Sequence, residues 1–161
     1  MGIVHTHLWF ADQAEEAARL WTSIVPNSRV LFARPSPPGA PGMPEGGVGV
    51  VVIELDGHRV TLLNAGSFFK LDEAFSFFLE CETQQEVDRY WEALLADGGE
   101  PSQCGWLKDR FGVSWQVVPR GVDDLTFEPS EAGRRALECM LGQVKLDIDA
   151  IRAAYDGVGP T

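Results

Sequence analysis

Residues 3–10, IVHTHLWF, interleave apolar and polar side chains, the pattern of a half-buried strand. The period then changes. Ala14, Ala17, Ala18, Trp21, Ile24 and Val25 recur at helical spacing, with Glu15, Glu16 and Arg19 on the opposite side. Asp12, followed three residues later by Glu15, predicts the N-cap and capping box of this helix, and Pro26-Asn27 its stop. Residues 29–34 read as a second strand. The next stretch, PSPPGAPGMPEGG at 35–47, holds five prolines and four glycines, so it can be neither a helix interior nor a central strand. It is expected to be a hairpin connection, with a lid over a pocket as the functional alternative.

Strands resume at Val48–Leu55 and His58–Leu63, around the tight-turn dipeptide Asp56-Gly57. After Asn64-Ala65-Gly66 the opening order returns: a strand over 74–81, then a helix over about 84–97. Thr83 is its predicted N-cap, Glu86 its capping partner and Gly98-Gly99 its end. Further strands follow near 105–109 and 113–118, hinged at Phe111-Gly112. A strand, a helix and further strands thus occur twice, which predicts an internal duplication of βαβββ units. Pro129-Ser130-Glu131 opens a helix containing Ala136, Leu137, Met140 and Leu141, and another is expected over 147–156. The predicted organisation is one domain over 1–122, made of modules at about 1–66 and 67–122, with a helical extension over 123–161. That extension is expected to pack on the same domain or on a dimer partner.

The composition narrows the partners. At 161 residues with 45% apolar side chains the chain can bury a single-domain core. Its 24 Asp and Glu against 13 Lys and Arg give a formal net charge of −11, which repels a phosphate backbone, so nucleic acid is not an expected partner. Cys81, Cys104 and Cys139 form no C-x-x-C pair, as suits a reducing compartment. The N-terminus lacks the basic, long-apolar pattern of a signal peptide, and no run of about 18 apolar residues occurs. A cytoplasmic protein with no membrane partner is expected.

HTHLWFADQAEEAARLW, LDGHRVTLLNAG, AFSFFLECETQQEVDRYWEAL and QCGWLKDRFGVSWQVVP together cover most of residues 4–120, and in this order they resemble the PhnB-like family. That family, historically labelled by analogy with a demethylubiquinone methyltransferase, resembles the glyoxalase/bleomycin-resistance, or vicinal-oxygen-chelate, superfamily. The resemblance implies an α+β fold in which two βαβββ modules form a curved mixed sheet around a cleft for a small-molecule ligand, with the C-terminal helical extension added. It also implies a homodimer. Methyltransferase activity is not expected, because no Gly-rich loop follows a predicted strand and opens a helix.

By the same resemblance a divalent metal would be held from His5, from Asn64 or a neighbour, from Ser76 and from Gln116. Amide and hydroxyl side chains are poor donors for a transition metal. His5 and Gln116 are the remaining metal candidates, a bound divalent metal is disfavoured, and no cofactor is expected. His5 and His7, two apart on one strand and about 7 Å from each other, suit neighbours in a cleft better than a chelate. Gln116 between Trp115 and Val117, and Ser76 between Phe75 and Phe77, are polar interruptions of apolar strands and are expected on the concave side. Cys104, near Lys108 and Arg110, would need a histidine base to act as a nucleophile and is expected to be a small buried group. Trp106 belongs to a set of aromatics, with Trp9, Phe68, Phe69, Phe75, Phe77, Phe78, Phe111 and Trp115, most of which should fill the core while a few line an apolar pocket. The expected pocket is His5, His7, Asn64, Ser76, Cys104, Trp106 and Gln116. Non-catalytic binding of a small molecule ranks above metal-dependent catalysis of the glyoxalase or dioxygenase type, and a dimer scaffold ranks last.

Overall fold

The computed structural model describes residues 2–159; Met1, Pro160 and Thr161, the outermost residues of the predicted first module and of the predicted extension, lie outside the described residues. The chain divides between Asp72 and Glu73 into two compact units.

The first unit runs β1 (Thr6–Phe10), α1 (Ala14–Ile24), β2 (Arg29–Pro35), β3 (Val48–Leu55) and β4 (His58–Asn64). Its sheet has the order β1-β4-β3-β2, with β1 parallel to β4 and the remaining pairs antiparallel. Strand alternation sends Leu8, Phe10, Val51, Ile53, Val60 and Leu62 to one side, where all six are buried. That side faces α1: the rings of Phe10 and Trp21 lie 5.9 Å apart. The N-terminus of α1 differs from the expectation. Asp12 is not its cap; Gln13 holds the N-cap position and makes no side-chain capping bond. The donor at the start of the helix is met from 50 residues away, where the Ala14 N–H donates to Asn64 Oδ1 at 2.9 Å.

The second unit runs β5 (Ser76–Cys81), α2 (Gln84–Leu95), β6 (Glu100–Pro101), β7 (Trp106–Lys108), β8 (Ser114–Pro119), α3 (Val122–Thr126), α4 (Glu131–Leu141) and α5 (Ile148–Asp156). Its sheet, β5-β8-β7-β6, repeats the first arrangement, with β5 parallel to β8. Here the local signals hold: Thr83 Oγ1 accepts from the Glu86 N–H at 3.2 Å, and Ser130 and Asp147 cap α4 and α5. Two short elements, β6 and α3, fall outside the predicted pattern. The fold is α+β, with two four-stranded mixed sheets and C-terminal helices.

The helices after β8 share one apolar cluster, in which Val118 of β8 meets Val122, Ala136, Leu146, Ile148 and Ile151. The backbone is tied across as well: Cys104 N–H donates to Gln143 O at 2.9 Å and Gly105 N–H to Val144 O at 2.8 Å. Gly105 sits at φ 82°, and a Cβ there would lie 2.9 Å from both Leu146 Cδ1 and Val117 O, so only glycine fits without a shift. The aromatic side chains depart from the expectation that most would be buried. Phe111 and Trp115 are buried, but Phe68, Phe69, Phe75 and Phe78 are exposed.

Candidate functional site

The polar positions singled out from the sequence fall into two groups, one in each unit. In the second sheet the register places Ser76 opposite Ser114 and Phe78 opposite Gln116, while β7 sets Trp106 opposite Gln116 and Lys108 opposite Ser114. These six side chains share the face turned away from α2, because Phe77, Leu107, Trp115 and Val117 alternate to the other side. Gln116 Nε2 donates to Ser76 Oγ at 3.0 Å, so the two predicted residues are brought together.

Beside them lies a cleft of about 120 Å³ lined by Glu73, Glu100, Pro101, Ser102, Trp106, Leu107, Lys108 and Ser114. Lys108 Nζ pairs with Glu73, and this contact holds the Glu73 carboxyl below the usual carboxylate range. Ser114 is 2% exposed, and its hydroxyl has no hydrogen-bond partner among the described residues. A buried polar group in that state is costly, so it marks a place where a ligand or water hydroxyl would be welcome.

The hairpin beneath is held by a residue the sequence reading overlooked. Asp109, 3% exposed, accepts the Phe111 and Val113 N–H groups on Oδ1 at 2.9 and 3.0 Å, and Trp115 Nε1 on Oδ2 at 3.0 Å. That network explains the KDRFGVSW run: the carboxylate fixes the β7–β8 turn and the indole behind Gln116. The available signal was the spacing of Asp109 to Gly112, where φ is 84°.

Cys104 occupies a left-handed turn position, φ 56°, and is half-buried with Sγ 4.0 Å from Leu141 O. All three histidines of the chain lie in the first unit, so this thiol has no imidazole base within its own unit. Burial pushes the Cys81 thiol up to about 12, which makes it an inert core group.

In the first unit β1 begins at Thr6, so His5 precedes the strand, and both His5 and His7 are exposed. His7 and Trp9 lie on the face turned away from α1. His58 Nε2 is hydrogen-bonded to Thr6 Oγ1 at 2.7 Å at the rim of the sheet. Asn64 lies on the buried side, where its Oδ1 accepts from Ala14 and its Nδ2 donates to Val48 O at 3.0 Å. Its amide thus serves the backbone at both ends. The loop over 36–47 is fastened at its base by Ser36 N–H to Gly47 O, 2.9 Å, and at its middle, where Gly42 at φ 73° packs so closely that a Cβ would lie 2.4 Å from Ala65 O.

For a metal, the donor set is poor. Among the described residues no three His, Cys, Asp or Glu side chains gather as metal ligands would. Of the four positions implied by the resemblance, Ser76 and Gln116 bond each other and Asn64 is used by the backbone. No helix among the described residues is long and apolar enough to cross a membrane.

Comparison with known proteins agrees with this architecture. A PhnB protein from Bacillus cereus, which bears a 3-demethylubiquinone-9 3-methyltransferase description, is 28% identical with a TM-score of 0.66, covering 73% of this chain and 99% of its own. Protein PA1353 from Pseudomonas aeruginosa is 17% identical, TM-score 0.58, over 74% of this chain and 98% of its own. The fosfomycin resistance protein FosX from Listeria monocytogenes is 14% identical, TM-score 0.54, over 76% and 94%. The last two show likeness of fold alone. No curated protein matches. Residues 3–118 match the family described as 3-demethylubiquinone-9 3-methyltransferase, and the chain belongs to this PhnB-like family, with the fold of the glyoxalase/vicinal-oxygen-chelate superfamily.

Proposed function

We propose that the chain binds a small organic molecule and that its site, at two of the positions where the resemblance implies a metal, is built for hydrogen bonding instead. The observation that carries this reading is the 3.0 Å bond between Gln116 and Ser76, two neutral side chains beside a cleft with an unused seryl hydroxyl. Neutral oxygen and amide groups orient a ligand well and hold a transition metal poorly. The family description names a methyl transfer, but the βα turns at 11–13 and 82–83 contain no glycine and the turn at 120–121 contains Gly121 alone, so none is the Gly-rich loop that would let a backbone approach a nucleotide-like cofactor.

The test pairs two measurements on purified, untagged protein. Elemental analysis and calorimetric titration of Ni²⁺, Zn²⁺, Fe²⁺ and Mn²⁺ into wild type and His5→Ala should find no stoichiometric metal. A thermal-shift screen of small apolar and polar organic molecules should find compounds that raise Tm for wild type and not for Gln116→Leu. Stoichiometric metal that His5→Ala abolishes would overturn the reading in favour of metal-assisted catalysis on a substrate with vicinal oxygens.

A further inference from the structure

One face of the first sheet carries charge opposite in sign to that of the whole chain. Arg29, Arg34 and Arg59 lie on the side turned away from α1 with a single carboxylate, Glu54, in a protein of formal net charge −11. Glu54 pairs with Arg29 at 3.3 Å. Arg34 and Arg59 have no carboxylate within 4.0 Å among the described residues.

Both of these guanidiniums are instead held over one half-exposed ring. The Cζ of Arg34 lies 5.0 Å from the centroid of Phe32 and that of Arg59 lies 5.9 Å from it. The register explains the convergence. His7, Thr61, Val52 and Phe32 form one row across the sheet, spanning about 14 Å at the usual strand spacing, and the two arginines flank that row from opposite sides. Each guanidinium lies within 6 Å of the same ring centroid, so an anion seated beside Phe32 meets the positive field of both. The guanidinium fork also matches the geometry of a carboxylate or phosphoryl group.

Building on the small-molecule-binding reading, we propose that Arg34 and Arg59 form an oxyanion clamp, taking the carboxylate or phosphoryl group of a small organic ligand whose apolar part lies along the exposed ring of Phe32. In a chain of formal net charge −11 the general field disfavours anions, so a locally positive face is where one is most readily accepted.

The experiment titrates benzoate, phenylphosphonate and the neutral isostere benzamide into the full chain at low salt, following the Phe and His proton resonances. At least one of the two anions should bind saturably and about tenfold or more tighter than benzamide, with an affinity that falls as salt is added. R34Q and R59Q should each weaken the anion, the double variant should abolish its advantage over benzamide, and R29Q should leave it in place, because Arg29 is already paired. Whichever anion binds tighter identifies the group. The clamp is overturned if the double variant keeps the advantage, if benzamide binds as tightly as both anions, or if neither anion binds. Benzamide binding equally to wild type and double variant would sink the clamp while leaving the small-molecule reading standing. Circular dichroism of the variants, whose altered side chains are not buried, distinguishes lost binding from lost folding.

Discussion

The two sheets repeat one topology and carry different chemistry on the faces their helices leave uncovered. In the first, arginines outnumber the carboxylate and gather on an aromatic ring, and helix α1 takes its cap from the end of β4. In the second, hydroxyl and amide groups bond each other, the lysine is balanced by Glu73, and α2 is capped by its own Thr83. The difference follows from strand geometry. Alternate residues serve opposite faces, so one side can keep the packing of a duplicated unit while the other changes freely.

The comparison breaks first at the β7–β8 hairpin, which has no counterpart in the Asp56-Gly57 turn of the first sheet. Asp109→Asn should destabilise the protein by about 3 kcal/mol, because its amide must face either two backbone N–H groups or the Trp115 indole N–H, donor against donor. Guanidinium denaturation checks this, and a loss below about 1 kcal/mol would show that the carboxylate is not the anchor. Next come the two helix caps. Asn64→Ala should cost about 2 kcal/mol, because it strands both the Ala14 N–H and the Val48 carbonyl, whereas Thr83→Ala should cost about 1 kcal/mol. Equal losses would erase the distinction between a distant and a local cap.

Smaller effects follow the ionisable groups. Cys81 keeps its proton in the folded state far above the ordinary thiol range, so stability should decline as pH rises from about 9 toward 12, where the unfolded chain alone loses that proton. Cys81→Ala should flatten that decline, and iodoacetamide at pH 8 should leave Cys81 unlabelled until the chain is unfolded. The smallest effect belongs to Glu73. Its depressed value means that its contribution is present above the unfolded carboxylate range and lost as pH falls through the folded one, so Glu73→Gln should shift only the acid limb of a stability-pH curve.

What the sequence made legible was what neighbouring residues decide. The Asp56-Gly57 turn, the Thr83 cap and the strand alternation that turns Ser76 and Gln116 each out of an apolar run all rest on spacings of a few residues, whereas the bond between those two spans 40 residues. What escaped rests on closure of the chain. Asp12 has a capping side chain in the right place, yet Asn64, 50 residues from Ala14, takes the role because β4 ends beside the start of α1. Asp109 reads as the last residue of a strand near 105–109 until the indole of Trp115 is folded back onto it. The convergence of Arg34 and Arg59 on Phe32 requires the register of β2, β3 and β4 together, including the irregularity between Val30 and Phe32.

The ties between the 104–105 turn and the segment after α4 bear on the order in which a nascent chain can finish folding. Every strand of the first sheet exists once Asn64 has been synthesised. The second unit, by contrast, has partners for the Cys104 and Gly105 amides only when Gln143 and Val144 are made, and the Gln84 side chain must wait for Leu146 and Ile148. At the usual pace of synthesis, roughly 5–20 residues per second, some seconds separate the two events. Through that interval the 104–105 turn lacks these backbone partners and Val118 lacks its helical cover, which makes the second half of the chain the part most exposed to mispairing during translation.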